Sequence, residues 1–143
     1  MKVLLDTNII MDALQERSPF DVEAKEILKL AQDKRRLTCL FTSNATADIF
    51  YLYSKARDVK SARAALDFLL AHYIVISVTH EDCSAALSLS ALDYEDALAA
   101  ICAEKAKVDY IITRDEKFLK ADLKVSVITP KALVDKLTET RYR

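Results

Sequence analysis

No glycine occurs anywhere in this chain. Phosphate cradles of the P-loop kind and dinucleotide-binding fingerprints need glycine, because the backbone must approach the phosphate closely. Neither can be built here, so ATPase and nicotinamide-dependent readings lose their main support. Histidine and cysteine are scarce, at two and three residues. Cys39, Cys83 and Cys102 form no metal-ligand pair, and each sits in an apolar segment, which reads as ordinary buried thiols. His72 and His80 have no partner at ligand spacing, so nothing competes for a zinc assignment. A basic excess is missing too. The formal net charge is −1, which argues against a protein that grips a long duplex. A short single strand held by a local basic patch stays open. No apolar run approaches the length that spans a bilayer. The opening Met1-Lys2-Val3-Leu4-Leu5-Asp6 meets an acid almost at once, unlike a secretory signal. The expectation is therefore a cytoplasmic protein without membrane contact.

What is present reads as an ordinary folded chain. The hydrophobic fraction is 52% and the charged fraction 30% over 143 residues, which fits one domain spanning 1–143 with a sizeable core. Val3-Leu4-Leu5 is a short apolar run closed by turn and capping residues, so it reads as a buried strand leading into a helix. Further strands are expected at Leu37–Phe41, Tyr73–Val78, Tyr110–Thr113 and Val125–Ile128. Helices are expected over Asn8–Leu14, Phe20–Gln32, Ala45–Ser54, Ser61–His72, Glu81–Leu89, Tyr94–Ala106 and Pro130–Leu137. Thr42, Ser43 and Asn44 offer caps for the third of these. The polar tail 138–143 is expected to fray. Strands alternating with helices predict an α/β/α three-layer sandwich around a mainly parallel sheet.

Sites in such sheets form at the carboxyl edge of the strands. A residue just after a strand lies on that edge, and so does one in the first turn of a covering helix. Asp6 follows the first strand. Asp48 lies near the start of the helix after the second. Asp93 and Asp96 bracket the first turn of the helix before Tyr110-Ile111-Ile112, and Asp115 follows that strand. Asp109 and Asp122 precede strands and fall on the opposite edge. Carboxylates brought together repel one another unless protons or a cation neutralise them. An all-oxygen set selects a hard ion, Mg²⁺ or Mn²⁺. Each acid also has a plain structural role open to it. Asp6 and Asp93 can cap helices, Asp48 can be a solvated helix residue, and Asp115 can belong to a turn. Taken singly each acid reads better as structural; the shared edge shifts the balance toward a metal site, and from pattern alone the two readings stand level.

At these same residues the chain resembles the PIN-domain family, which includes the toxin ribonucleases of VapC-type toxin–antitoxin pairs. Leu4-Leu5-Asp6-Thr7-Asn8 resembles the family's opening motif. Asp93-Tyr94-Glu95-Asp96-Ala97-Leu98 resembles its central helix motif, and Ile111-Ile112-Thr113-Arg114-Asp115 its late strand-to-loop motif. Order and spacing agree over nearly the whole chain. The resemblance implies a PIN-like fold and a metal-dependent endoribonuclease acting on single-stranded RNA. It implies that Asp6, Asp48, Asp96 and Asp115 hold one or two Mg²⁺ or Mn²⁺ ions. Asp48 stands where many members carry Glu, and its shorter side chain can reach the metal through water. Asp93 would be an auxiliary acid or only a cap. Thr7 and Asn8 would hold the Asp6 loop, and Thr113 would orient the carboxylates. A homodimer and a small antitoxin protein are the partners implied.

For substrate grip, Arg114 lies on the site edge and is the preferred phosphate contact. Lys34-Arg35-Arg36 precedes a strand and reads as a solvated face. Arg57, Lys60 and Arg63 form another local basic group. Tyr51 and Tyr53 could stack bases or serve packing and dimer contact. Two other functions compete. A haloacid-dehalogenase-like phosphatase also places an Asp after its first strand, but it expects a second Asp two residues later, where Asn8 stands here. A catalytically silent PIN scaffold would keep the fold and bind only a partner; clustered charge gives such a scaffold no advantage.

Overall fold

The computed structural model describes residues 1–141. Its elements alternate as β1 (Lys2–Leu5), α1 (Thr7–Leu14), α2 (Asp21–Leu30), β2 (Thr38–Thr42), α3 (Ser43–Ala56), α4 (Val59–His72) and β3 (Ile74–Ile76). Then follow α5 (His80–Ala86), α6 (Tyr94–Ala106), β4 (Tyr110–Ile112), α7 (Glu116–Leu119), β5 (Ser126–Ile128) and α8 (Pro130–Arg141). The strands form one sheet in the order β3-β2-β1-β4-β5. All four pairings are parallel. The expected sandwich is present, and its sheet is wholly rather than mainly parallel.

Strand alternation assigns the two faces. Val3, Leu5, Cys39, Phe41 and Ile112 point to one side, where Ile9, Ile10 and Met11 of α1, Ile27 of α2, Ile49 of α3 and Leu133 of α8 cover them. Leu4, Leu40 and Ile111 point to the other, under Ala100, Cys102 and Ala103 of α6 and Phe118 of α7. Each fully buried Leu, Ile or Phe contributes about 1.5–3 kcal/mol, so both faces are needed to hold so short a set of strands. The small residues of α6 let that helix lie close to the sheet.

Several boundaries differ from the sequence expectation for local reasons. Helix α3 starts two residues early, at Ser43. Its N-cap Thr42 makes no side-chain cap bond. The Ser43 hydroxyl instead accepts the Val78 N–H at 3.1 Å, tying the start of α3 to the exit of β3. Helix α5 stops at Ala86, where the chain turns toward Asp93. The single turn α7 has no counterpart among the helices expected from sequence; it is capped by Asp115 and plugs the sheet with Phe118. Helix α8 continues through Arg141, so the tail expected to fray is helical to that point, and 142–143 lie outside the described residues.

Without glycine, left-handed backbone falls to other residues. Lys107 adopts φ 55° as the C-cap of α6, and Glu16 adopts φ 51° after α1. A side chain in this region costs about 1 kcal/mol. The Lys107 turn returns the chain to Val108 and β4, and thus to the carboxyl edge where Asp115 emerges.

Candidate active site

The strand order reverses direction between β1 and β4. From β1 the chain goes outward to β2 and β3, then crosses back to β4 and β5. Ligands bind at such a switch point, beyond the carboxyl ends of the strands. Asp6 leaves β1 at this point, and Asp115 leaves β4 beside it. The Asp6 N–H donates to the Ile112 carbonyl at 3.0 Å, locking the two strand exits together.

A cleft of about 260 Å³ opens here, lined by Asp6, Thr7, Asn8, Asp48, Tyr51, Leu52, Asp93, Glu95, Asp96 and Asp115. Six carboxylates therefore surround one small space. No Lys, Arg or His among the described residues lines it. The sequence reading grouped Asp6, Asp48, Asp93, Asp96 and Asp115 on one edge, with Thr7 and Asn8 beside them, and the structure brings all seven to the cleft. Asp109 and Asp122 stay out of it; Asp109 accepts the Lys2 N–H at 2.8 Å at the opposite end of the sheet.

The capping alternatives separate the acids. Asp6 is the N-cap of α1 but forms no side-chain cap hydrogen bond. Its Oδ2 instead accepts the Thr113 hydroxyl at 2.7 Å. Thr113 is fully buried and its hydroxyl also accepts the Asp115 N–H at 3.1 Å. One hydroxyl thus fixes Asp6 and the Asp115 loop together. Asp93 does cap α6, accepting the Asp96 N–H at 2.9 Å. Asp115 caps α7, accepting the Lys117 N–H at 2.9 Å. Asp96 is buried, and its carboxylate accepts no hydrogen bond among the described residues.

Electrostatics record the crowding. Burial pushes the Asp96 carboxyl up to about 7, and the charges of Asp6, Asp93, Asp115 and Glu95 add to it. Burial also raises Asp6; the Thr113 hydroxyl and the nearby Asn8 amide oppose it, and Asp115 repels. Glu95 is raised by burial, then by Asp48, Asp6 and Asp93. Glu95 is the site residue that sequence reasoning left without a role. Its signal was its place between Asp93 and Asp96 in the first turn of α6.

Arg114 is not brought to the cleft. Its guanidinium turns away to Asp12, with Nε at 2.7 Å and Nη2 at 3.1 Å from the two carboxylate oxygens. The guanidinium also lies 4.0 Å from the Phe20 ring centroid. Asp12 is fully buried inside α1 and has Arg17 at 3.6 Å as a second partner. Sequence reasoning missed Asp12. An acid within Ile9-Ile10-Met11-Asp12-Ala13, on the buried side of a helix, was the available hint.

The donor set around the cleft is entirely oxygen, which suits a hard divalent cation. Among the described residues, no three His, Cys, Asp or Glu side chains converge into a ready-made metal cage. That spacing is compatible with Mg²⁺, which keeps several waters and takes only one or two carboxylates directly. The raised carboxyls supply the complementary observation: burial raises them first and mutual repulsion adds to it, and a cation in the cleft would favour their charged forms.

Residues 2–117 match the PIN domain family. The chain belongs to that family. No curated protein matches the sequence. Solved structures share the fold at low identity. Mycobacterium tuberculosis VapC20, described as a sarcin-ricin loop cleaving toxin, is 16% identical, with TM-score 0.69, covering 85% of this chain and 95% of that one. VapBC2 from Rickettsia felis, bound to a promoter DNA fragment, is 19% identical, with TM-score 0.67, covering 90% and 98%. A toxin–antitoxin complex from Klebsiella pneumoniae is 22% identical, with TM-score 0.67, covering 90% and 97%. No helix among the described residues is long and apolar enough to cross a membrane.

Proposed function

We propose that this protein is a Mg²⁺- or Mn²⁺-dependent endoribonuclease that cuts single-stranded RNA and acts as the toxin of a toxin–antitoxin pair. The carrying observation is the cleft walled by six carboxylates and by no cation of the protein's own. A phosphodiester is an anion and would be repelled from that wall. Only with bound cations does the cleft become a place where a phosphate can rest. Membership of the PIN family supports the same reading, and it leaves the phosphatase alternative without support.

Asp6, Asp96, Asp115 and Asp48 are the residues that would hold the ion or ions. A bound Mg²⁺ or Mn²⁺ supplies neutralisation of the scissile phosphate and a more acidic water. The chain's own part is positioning and proton transfer. Thr113 holds Asp6 in one orientation, and Asp93 fixes the first turn of α6 so that Asp96 faces the cleft. Glu95, a cleft carboxylate outside the metal-holding set, accepts the proton of the attacking water. Water oxygen bonds to phosphorus, the bond to the 3′ oxygen breaks, and that oxygen takes a proton. The products are a 5′-phosphate and a 3′-hydroxyl.

A small antitoxin partner completes the proposal, by analogy with the toxin–antitoxin complexes that share the fold; a homodimer is proposed from the family resemblance alone. The decisive test is cleavage of labelled single-stranded RNA with Mn²⁺. Asp6→Asn and Asp96→Asn should each lower the rate by about 10²-fold or more. Wild-type rates in both would remove the assignment.

A further inference from the structure

Helix α3 carries a stripe that the acidic site does not use up. Asp48, Tyr51, Leu52 and Lys55 are spaced i, i+3, i+4 and i+7, so they share one helix face. The first three line the cleft. Tyr51 is 57% exposed, an open position for a ring whose burial would be favourable. The Lys55 Nζ lies over that ring, 4.8 Å from its centroid. No other ring, ion pair or hydrogen bond engages the Tyr51 side chain among the described residues. Tyr53 differs. It is half-buried, packs against the core on the β1–β2 face and lines a separate cavity with Leu14 and Arg57. The two tyrosines that the sequence left equivalent are thus separated by the fold.

We propose that Tyr51 is a platform on which an unpaired RNA base stacks beside the scissile phosphate, with Lys55 steadying the ring and meeting a neighbouring phosphate. This rests on the nuclease reading and names what the site selects. A base inside a duplex is stacked on both faces and cannot offer itself to a ring at the rim of a small cleft. An unpaired base can. Lys55 also places positive charge next to a cleft that has none of its own, where a backbone leaving the site would pass.

The test is fluorescence anisotropy with a 5′-labelled single-stranded oligoribonucleotide of one defined sequence. Ca²⁺ replaces Mg²⁺ so that the strand stays whole. Tyr51→Ala should weaken binding by about tenfold, and Tyr51→Phe, which keeps the ring, should restore it. Abasic substitution along the strand gives the readout that a merely structural role would not move. At one position the missing base should cost the wild type about tenfold and cost Tyr51→Ala nothing. Identical abasic profiles in the two proteins, or wild-type binding by Tyr51→Ala, would overturn the platform while leaving the nuclease reading intact. A wild type that binds no RNA at all would overturn both.

Discussion

At the level of single residues, the site depends on how each side chain is held. Thr113 reaches Asp6 through a fully buried hydroxyl. Thr113→Val keeps the shape and removes that bond, so metal affinity should fall by about 10–100-fold with the fold retained; calorimetric titration of Mn²⁺ measures it. Arg114 makes the opposite case. Its partner Asp12 is fully buried and the guanidinium about a third exposed. Breaking a buried pair costs about 3–5 kcal/mol, and the exposure and the remaining Arg17 reduce this. Arg114→Met should therefore lower stability by about 2 kcal/mol in urea unfolding. An Arg114 that gripped phosphate would instead change the salt dependence of RNA binding and leave unfolding alone. The acids also set a pH dependence. Asp96 is raised from 3.8 to about 7. Between those values the folded protein keeps a proton that the unfolded chain has released. Stability of the metal-free protein should thus fall as pH rises through this window and level off above it. Asp96→Asn should flatten the trend in thermal melts taken in chelator.

At the scale of elements, most of the plan was legible in the sequence because period and punctuation agree. Val3-Leu4-Leu5 closed by Asp6, and Tyr110-Ile111-Ile112 followed by Asp115, announce their own strand exits. The edge rule then groups the acids without knowledge of the sheet order. What was hidden depends on distant partners. Asp12 and Arg114 are 102 positions apart, and nothing local says that the arginine turns inward. Tyr51 and Tyr53 look alike until α3 is set against the sheet. Helix α7 is one turn long, too short to show a period. The absence of glycine also has an energetic trace at this scale. Lys107 ends α6 in the left-handed region, where glycine meets no steric cost. Lys107→Gly should raise stability by about 0.5–1 kcal/mol in chemical denaturation. A loss would mean that the Lys107 side chain contributes more than its backbone costs.

At the scale of the whole molecule, a doubly covered parallel sheet places two strand exits and two helix starts around one cleft. The arrangement is held together against its own charge. Burying both sheet faces offsets the repulsion of six carboxylates, and a bound cation should relieve it further. Any ion that binds the folded state alone stabilises it by mass action, so the melting temperature should climb with Mn²⁺ concentration. The rise should be larger at pH 8 than at pH 5, where Asp96 holds its proton and competes with the metal. The most direct measurement is anomalous diffraction from crystals soaked in manganese. A metal site here requires one or two peaks in the cleft, at roughly 2.0–2.2 Å from carboxylate oxygens that include Asp6 and Asp96. Crystals that diffract well, with no anomalous density between those two side chains, would contradict it.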